Sequence, residues 1–168
     1  MTIWIIAAAL AFASRVAGGA GSWFSDDSKL LPPEQAFRLS AQAVDPRTVV
    51  VRFDVEDGYY LYRDKLAFAI EPASLASGKS PVLPDGTHKH DSFFGDVEIY
   101  RGQIAALITL AGPASGRAIV VKTQSQGCAD AGVCYPLTSQ ALTVPVPQPG
   151  TGPGPVVEAP HSRKPFFQ

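Results

Sequence analysis

The sequence has few cysteines, few charges and no hydrophobic run long enough to cross a membrane. Only two of its 168 residues are cysteines, and lysine, arginine, aspartate and glutamate together make up 17%. The formal net charge is −1, so charge offers no argument for binding nucleic acid or an anionic membrane surface. Apolar residues still make up 46%, which is enough for a core, so composition predicts one globular domain.

An apolar segment at the amino terminus has the properties of a signal peptide. Residues 3–13 are all apolar, and mostly small residues follow through Gly21. The run is too short to span a bilayer, and Ala11-Phe12-Ala13 offers a cleavage site. No lysine or arginine precedes it, so a lipid-side anchor or a misassigned start codon are the alternatives. We predict an exported protein with a signal peptide over 1–20 and a flexible lead-in over 21–29.

Short strand patterns separated by turn signals occupy the middle of the chain. The predicted strands are 48–55, 59–63, 66–70, 97–100, 104–110, 118–123 and 142–146, of which the second and third form either two strands or one bent strand. The separator Arg101-Gly102-Gln103 has the spacing of a hairpin. Because no segment keeps a helical period beyond two turns, the pattern predicts an all-β, immunoglobulin-like β-sandwich, with a β-barrel as the alternative.

Proline and glycine contribute 15 residues each, and many of them lie near the carboxyl terminus. From Pro145 onward, proline and glycine recur every few residues, and large apolar side chains are few. Such a composition favours extended chain and cannot build a core. We therefore predict a folded domain over 30–146 and a disordered tail over 147–168.

The two cysteines, Cys128 and Cys134, are separated by five residues, all of them small or short. Gly127 and Gly132 permit tight turns, so a disulfide between them is geometrically reasonable. A bond closing so short a loop stabilises by only about 2 kcal/mol, which weakly favours a functional bond over a structural one. The spacing is not Cys-x-x-Cys, and by itself it leaves a local structural disulfide open.

Four segments resemble, in order, the amino-terminal periplasmic domain of DsbD, the thiol:disulfide interchange protein. They are 31–37 (LPPEQAF), 57–63 (DGYYLYR), 93–101 (FFGDVEIYR) and 126–136 (QGCADAGVCYP). The resemblance covers residues 30–146. It implies an immunoglobulin-like sandwich with the cysteine pair in a loop or hairpin at one end. It also implies a periplasmic location and an enzymatic function, thiol–disulfide exchange as a component of a protein-disulfide reductase.

The resemblance further implies a division of labour and a set of partners. Cys134 would form mixed disulfides and Cys128 would resolve them, so the redox-active disulfide itself would be the only redox group and no cofactor is expected. The implied partners are a membrane-embedded thiol electron carrier or thioredoxin-like domain, and oxidised periplasmic thioredoxin-fold proteins. The family normally continues into membrane and thioredoxin-like domains, whereas this sequence stops after its proline-rich tail. We therefore expect a free-standing shuttle, with a remnant of a longer protein as the alternative.

The cap loop of the family corresponds to residues 91–95. The resemblance implies that Phe93 and Phe94 lie over the sulfurs and that Gly95 acts as a hinge. From the residues alone, core positions for both phenylalanines are the alternative. Ser92 stands where some relatives carry a second acidic residue.

Tyr60, Tyr62 and Asp91 are the remaining candidate site residues. The two tyrosines are two residues apart on a predicted strand and so share a face, either lining the site or forming an amphipathic surface. A carboxylate at Asp91 beside Cys134 would raise the pKa of the thiol and could relay a proton. Loop capping by Asp91 is the alternative.

His88 and His90 form a His-x-His pair close to the predicted cap. With the two thiols they could suggest a copper or zinc site, but Lys89 between them opposes a cation and loop histidines are usually solvated. We therefore predict no metal site. Two functions besides disulfide exchange stay open: a non-catalytic periplasmic binding module with a structural disulfide, and a metallochaperone.

Overall fold

Strands dominate residues 30–160, the part of the chain that the computed structural model describes. The elements are α1 (Pro33–Ala36), β1 (Phe37–Asp45), β2 (Thr48–Val55), β3 (Tyr59–Tyr62), β4 (Ala67–Glu71), β5 (Thr87–Asp91), β6 (Gly95–Tyr100), β7 (Gly102–Thr109), β8 (Ala118–Ser125), β9 (Gly127–Ala129), β10 (Thr138–Pro145) and β11 (Val157–Glu158), with 3₁₀ turns at Arg63–Lys65 and Ala73–Leu75. The predicted signal peptide and lead-in, 1–29, lie outside the described residues. No helix within 30–160 has the length and apolar character needed to cross a membrane.

The strands of residues 30–160 form three antiparallel sheets. Their strand orders are β11-β1-β2-β7, β10-β8-β4 and β5-β6-β3-β9. The main core lies between the first two sheets, where inward side chains alternate with outward polar ones. Leu39 and Val51 contribute from one side, and Val121 and Val144 from the other. The predicted all-β, immunoglobulin-like sandwich is confirmed, and the sheets stay open instead of closing into a barrel.

One predicted connection is wrong, and its correction matters for the site. The separator at Arg101-Gly102-Gln103 suggested a hairpin, but β6 pairs with β3 and β5 while β7 pairs with β2. Gly102 adopts a positive φ of 61°, and the chain passes there from one sheet to another. Two strand patterns with a short separator do not reveal which partner each strand takes, because the partner is chosen by core packing.

Residues beyond β10 run along the edge of β1, although this segment was expected to belong to a disordered tail. The Gly154 N–H donates to the Ala43 carbonyl at 2.9 Å, and the Gln42 side-chain amide donates to the Gly154 carbonyl at 2.8 Å. β11 then pairs with β1, and Ala159 is buried. A proline-rich composition argues against a separate core, but it does not prevent an extended segment from covering a sheet edge.

Candidate active site

Cys128 and Cys134 are joined by a disulfide at one end of the third sheet. Cys128 lies in β9 and is fully buried, whereas Cys134 is only half-buried. The two residues face each other as an antiparallel bridge. On either side of the bridge, the Ala129 N–H donates to the Val133 carbonyl at 2.8 Å and the Tyr135 N–H to the carbonyl of residue 127 at 2.9 Å. Cys134 is therefore the more accessible member of the pair.

The two glycines of the cysteine segment have different structural tasks. Gly132 has a φ of +85° and turns the loop, and its N–H donates to the Ala129 carbonyl at 2.9 Å. Gly127 lets β9 approach β3 closely, because a Cβ there would meet the Tyr60 carbonyl oxygen at 2.4 Å and the Phe37 ring at 2.6 Å. Without a glycine at 127, Cys128 could not pair beside Tyr60 as it does.

Tyr60 and Tyr62 share one face of β3, as their spacing predicts. Together with Cys128 and Ile99 they form a small core that is separate from the main one. The Tyr62 hydroxyl lies 3.1 Å from Cys128 Sγ and 3.8 Å from Cys134 Sγ. Burial, reinforced by the hydrogen bond with Tyr60, raises the pKa of Tyr62 far above its usual value. The hydroxyl thus keeps its proton and is available as a hydrogen-bond donor to sulfur.

Asp91 is a buried carboxylate at the end of β5, with only 2% of its surface exposed. Its Oδ2 accepts a hydrogen bond from the Tyr60 hydroxyl at 2.8 Å, and its Oδ1 accepts from the N–H groups of Phe93 at 2.8 Å and Phe94 at 3.2 Å. Burial alone would raise the pKa of Asp91, but these hydrogen bonds outweigh it and lower the pKa to about 2. The ionised carboxylate both caps the turn and faces the site.

Residues 91–95 form the tight turn between β5 and β6, with Asp91 paired to Gly95. Gly95 has a φ of +75°, a conformation that favours glycine. Phe93 and Phe94 are 59% and 44% exposed, so neither is a core residue. The Phe94 ring packs edge-on against Tyr62, with centroids 5.0 Å apart. Phe94 therefore covers the tyrosine that contacts both sulfurs, and Phe93 is the more exposed of the pair.

Three cations surround these aromatic side chains, and none of them was among the site residues predicted from the sequence. Lys65 Nζ lies 4.8 Å from the Phe94 ring centroid. Lys89 Nζ and Arg101 Cζ lie 5.0 Å and 5.2 Å from the Tyr60 ring centroid. Lys89 Nζ is also 3.6 Å from the Oδ2 of the neighbouring carboxylate at 91. Had residues 87–91 been predicted as a strand, the shared face of positions 89 and 91 would have indicated this contact.

His88 and His90 lie on β5, in a segment that the sequence analysis treated as a loop. His90 Nδ1 is 2.7 Å from Asp96 Oδ1, and His88 Nε2 is 3.9 Å from Glu98 Oε1, both across the strand pair. Within residues 30–160, no group of three or more histidine, cysteine, aspartate or glutamate side chains is placed to hold a metal ion.

Comparison with known proteins identifies relatives of this chain. Residues 27–145 match the family model described as thiol:disulfide interchange protein DsbD, N-terminal. DsbD of Ralstonia nicotianae is 45% identical over 106 residues, which is 63% of this chain and 17% of that protein. DsbD of Escherichia coli is 35% identical over 119 residues, which is 71% of this chain and 20% of that protein. The chain therefore spans about a fifth of the length of these relatives.

Two solved structures from Neisseria meningitidis resemble the fold. The DsbD amino-terminal domain in its reduced form has a TM-score of 0.68 and 31% identity, covering 81% of this chain and 100% of that one. The complex between the DsbD and PilB amino-terminal domains matches with a TM-score of 0.58 and 36% identity, covering 68% of this chain and 87% of that one. The matched family region includes β1 to β10 and the disulfide.

Proposed function

We propose that this chain, which belongs to the family of DsbD amino-terminal domains, is a thiol–disulfide exchange domain of the bacterial periplasm. It would take reducing equivalents from a membrane-embedded thiol electron carrier or thioredoxin-like domain. It would pass them to oxidised periplasmic thioredoxin-fold proteins. The observation that carries the proposal is a disulfide with one buried sulfur partner, Cys128, and one accessible partner, Cys134, at an aromatic-covered end of the sandwich.

The exchange requires two thiol–disulfide substitutions in each direction. A donor thiolate attacks Cys134 Sγ, the bond to Cys128 breaks, and Cys128 leaves as a thiolate that takes up a proton. The donor's second thiolate then attacks the donor sulfur of the mixed disulfide. The donor becomes a disulfide, and Cys134 leaves as a thiolate that can take up a proton. Towards a client, the Cys134 thiolate attacks the client disulfide, and Cys128 resolves the mixed disulfide. The client gains two electrons and two protons, and the Cys128–Cys134 bond re-forms.

The surroundings support a protected reduced state. The ionised Asp91 disfavours a second negative charge nearby, so it would raise the pKa of the Cys134 thiol and slow reaction with stray oxidants. A pKa of about 2 for Asp91 in the disulfide form supports this electrostatic role over a proton relay near neutral pH. Phe94 covers Tyr62, which contacts both sulfurs, and movement of the turn at Gly95 would uncover that side of the pair for a partner.

A protein partner is supported by one of the related structures. A DsbD amino-terminal domain of Neisseria meningitidis forms a complex with the amino-terminal domain of PilB. By analogy, the exposed side chains flanking the disulfide here would contact a client. The exposed large apolar side chains in the cap are Phe93 and Phe94, and those near the cysteines in sequence are Val133 and Leu137.

Single-cysteine variants of the full chain test the proposal. Reduced wild-type chain should reduce oxidised thioredoxin, as followed by thiol labelling and mass. Cys134→Ser should abolish the reaction, whereas Cys128→Ser should accumulate a mixed disulfide through Cys134, because the resolving thiol is missing. If both variants lose stability and wild type exchanges no faster than free glutathione, the disulfide is structural and the chain is a binding module.

A further inference from the structure

An ion pair outside the exchange chemistry joins the cysteine loop to the connection between β6 and β7. Arg101 lies in that connection, and Asp130 lies between the two cysteines. Arg101 Nη1 donates to Asp130 Oδ2 at 2.9 Å, and Nη2 donates to Oδ1 at 2.6 Å. Two parallel hydrogen bonds between charged groups fix orientation as well as distance. The hydrogen bonds with Arg101 hold the pKa of Asp130 below its usual range, so the pair stays charged near neutral pH.

The loop that carries this carboxylate is exposed from residue 130 to 133, so packing contributes little to its order. Its main chain is held by hydrogen bonds: the Asp130 N–H donates to the Gly58 carbonyl at 2.7 Å, and the Ala129 N–H donates to the Val133 carbonyl at 2.8 Å. Asp130 thus contacts the rest of the domain through both its main chain and its side chain. None of these contacts involves sulfur, so each of them is available when the disulfide is open.

Arg101 is itself anchored to the strand that positions Cys128. Its Nη1 also donates to the Tyr59 carbonyl at 3.1 Å, and its guanidinium lies 5.2 Å from the centroid of the buried Tyr60 ring. Tyr60 is the pairing partner of Cys128 between β3 and β9. The ion pair therefore connects the exposed loop leading to Cys134 with the rigid strand beside the buried cysteine.

From this placement we infer that Arg101 is a positioning residue: it holds the Cys134 side of the loop against Cys128 while the disulfide is open. The inference rests on the proposed function for its biological role. Physically, the ion pair should affect the equilibrium between the disulfide and dithiol forms of the cysteine pair. In the disulfide form the covalent bond already restricts the loop, so losing the ion pair frees little motion. In the dithiol form the same loss increases loop entropy, which favours the dithiol and slows resolution of mixed disulfides.

A glutathione redox series on the full chain tests this inference. Two glutathione thiols reduce the Cys128–Cys134 bond and leave as glutathione disulfide, and the dithiol fraction gives the equilibrium constant. Exposed ion pairs contribute up to about 1 kcal/mol, so Asp130→Asn and Arg101→Gln should each shift the equilibrium about two- to fivefold towards the dithiol. The double variant should shift it no further than the single ones. Arg101→Lys, which keeps the charge without the fork, should give a smaller shift than Arg101→Gln.

The pair of Arg38 and Glu56 supplies a matched control. Its N–O distance is 2.8 Å and its side chains are 45% and 41% exposed, against 45% and 49% for Arg101 and Asp130. Arg38→Gln removes the same charge as Arg101→Gln and should leave the equilibrium unchanged. An equal shift in the control, additive shifts in the double variant, or no shift in either single variant would overturn the inference.

Two further measurements keep the test decisive. If an Arg101 variant does not fold, Asp130→Asn is compared with wild type at low salt and at 1 M salt, where the screening length is about 3 Å. High salt should then move the redox equilibrium constant of wild type towards the Asp130→Asn value, and an unchanged difference would contradict the inference.

The glutathione series requires no protein client. Shifts in that series combined with failure of the chain to reduce thioredoxin would therefore retain the inference and reject the proposed function.

Discussion

At the scale of single residues, two neighbouring tyrosines divide the chemistry of the site between them. The Tyr62 hydroxyl faces the sulfurs, while the Tyr60 hydroxyl donates to Asp91. Their rings pack edge-on with centroids 5.4 Å apart, so two contacting aromatic side chains lie between the carboxylate and the disulfide. Because Asp91 also accepts two main-chain N–H groups, its charge is stabilised by hydrogen bonds despite burial.

The charge on Asp91 should appear in the pH dependence of stability. Its folded pKa of about 2 lies below the usual 3.8, so its contribution is present above pH 3.8 and is lost as pH falls through 2. The shift corresponds to roughly 2 kcal/mol. We expect Asp91→Asn to lower the free energy of unfolding by about that amount at pH 6, and the gap to wild type to close between about pH 4 and pH 2. Urea titrations of disulfide-bonded wild type and Asp91→Asn at several pH values measure this difference in the free energy of unfolding. A difference that does not change with pH would contradict the assignment of an ionised, stabilising carboxylate to Asp91.

At the scale of elements, the site depends on how β3 is shared. One face of β3 supplies Tyr59 and Leu61 to the main core, and the other supplies Tyr60 and Tyr62 to the small core around Cys128. β9 can pair with this crowded strand only because Gly127 has no side chain. The third sheet is therefore a rigid platform on which the sulfur pair and the turn of residues 91–95 meet.

Replacing Gly127 should disturb this platform. A Cβ at 127 would lie 2.4 Å from a main-chain oxygen and 2.6 Å from the Phe37 ring, so β9 must move. We expect Gly127→Ala to reduce the free energy of unfolding by about 1–3 kcal/mol. The control is Gly112→Ala, where a Cβ would have nothing within 4 Å and no positive φ is required. Denaturant unfolding of both variants measures the difference, and equal stabilities would show that β9 adapts freely.

At the scale of the whole molecule, the disulfide lies outside the core that holds the sandwich together. The main core joins the sheet of β1, β2, β7 and β11 to the sheet of β4, β8 and β10, whereas Cys128 belongs to the small cluster on the third sheet. The carboxyl-terminal segment covers the β1 edge of the first sheet, whereas Cys128 lies on the third sheet. We therefore expect the principal packing to persist when the disulfide is opened.

Reduction should cost little stability and should not unfold the domain. A loop this short contributes about 2 kcal/mol in the chain-entropy model, against a typical stability of roughly 5–15 kcal/mol for a domain. We expect the reduced full chain to unfold cooperatively at a lower denaturant concentration, with an unchanged far-ultraviolet circular dichroism spectrum before the transition. Loss of that spectrum on reduction alone would mark the bond as structural.

The sequence by itself determined the strand-rich architecture, the location of the cysteine pair and the tyrosines' shared face. Each follows from local patterns: β-branched alternation for residues 48–55, the short spacing of the cysteines, and the two-residue period of a strand for Tyr60 and Tyr62. Motif resemblance added the position of the turn of residues 91–95. These features are carried by neighbours along the chain, so they can be read without knowing the partners of any strand.

Only the tertiary structure decided what those residues face. β5 lacks the apolar alternation that predicts a strand, because it lies at the edge of its sheet with exposed histidines, yet it places Lys89 and Asp91 beside Tyr60. Arg101 meets Asp130 because the chain changes sheets at Gly102, which no local pattern revealed. Such contacts join residues far apart in sequence, and they depend on which strands pair and on which side chains pack together in the cores.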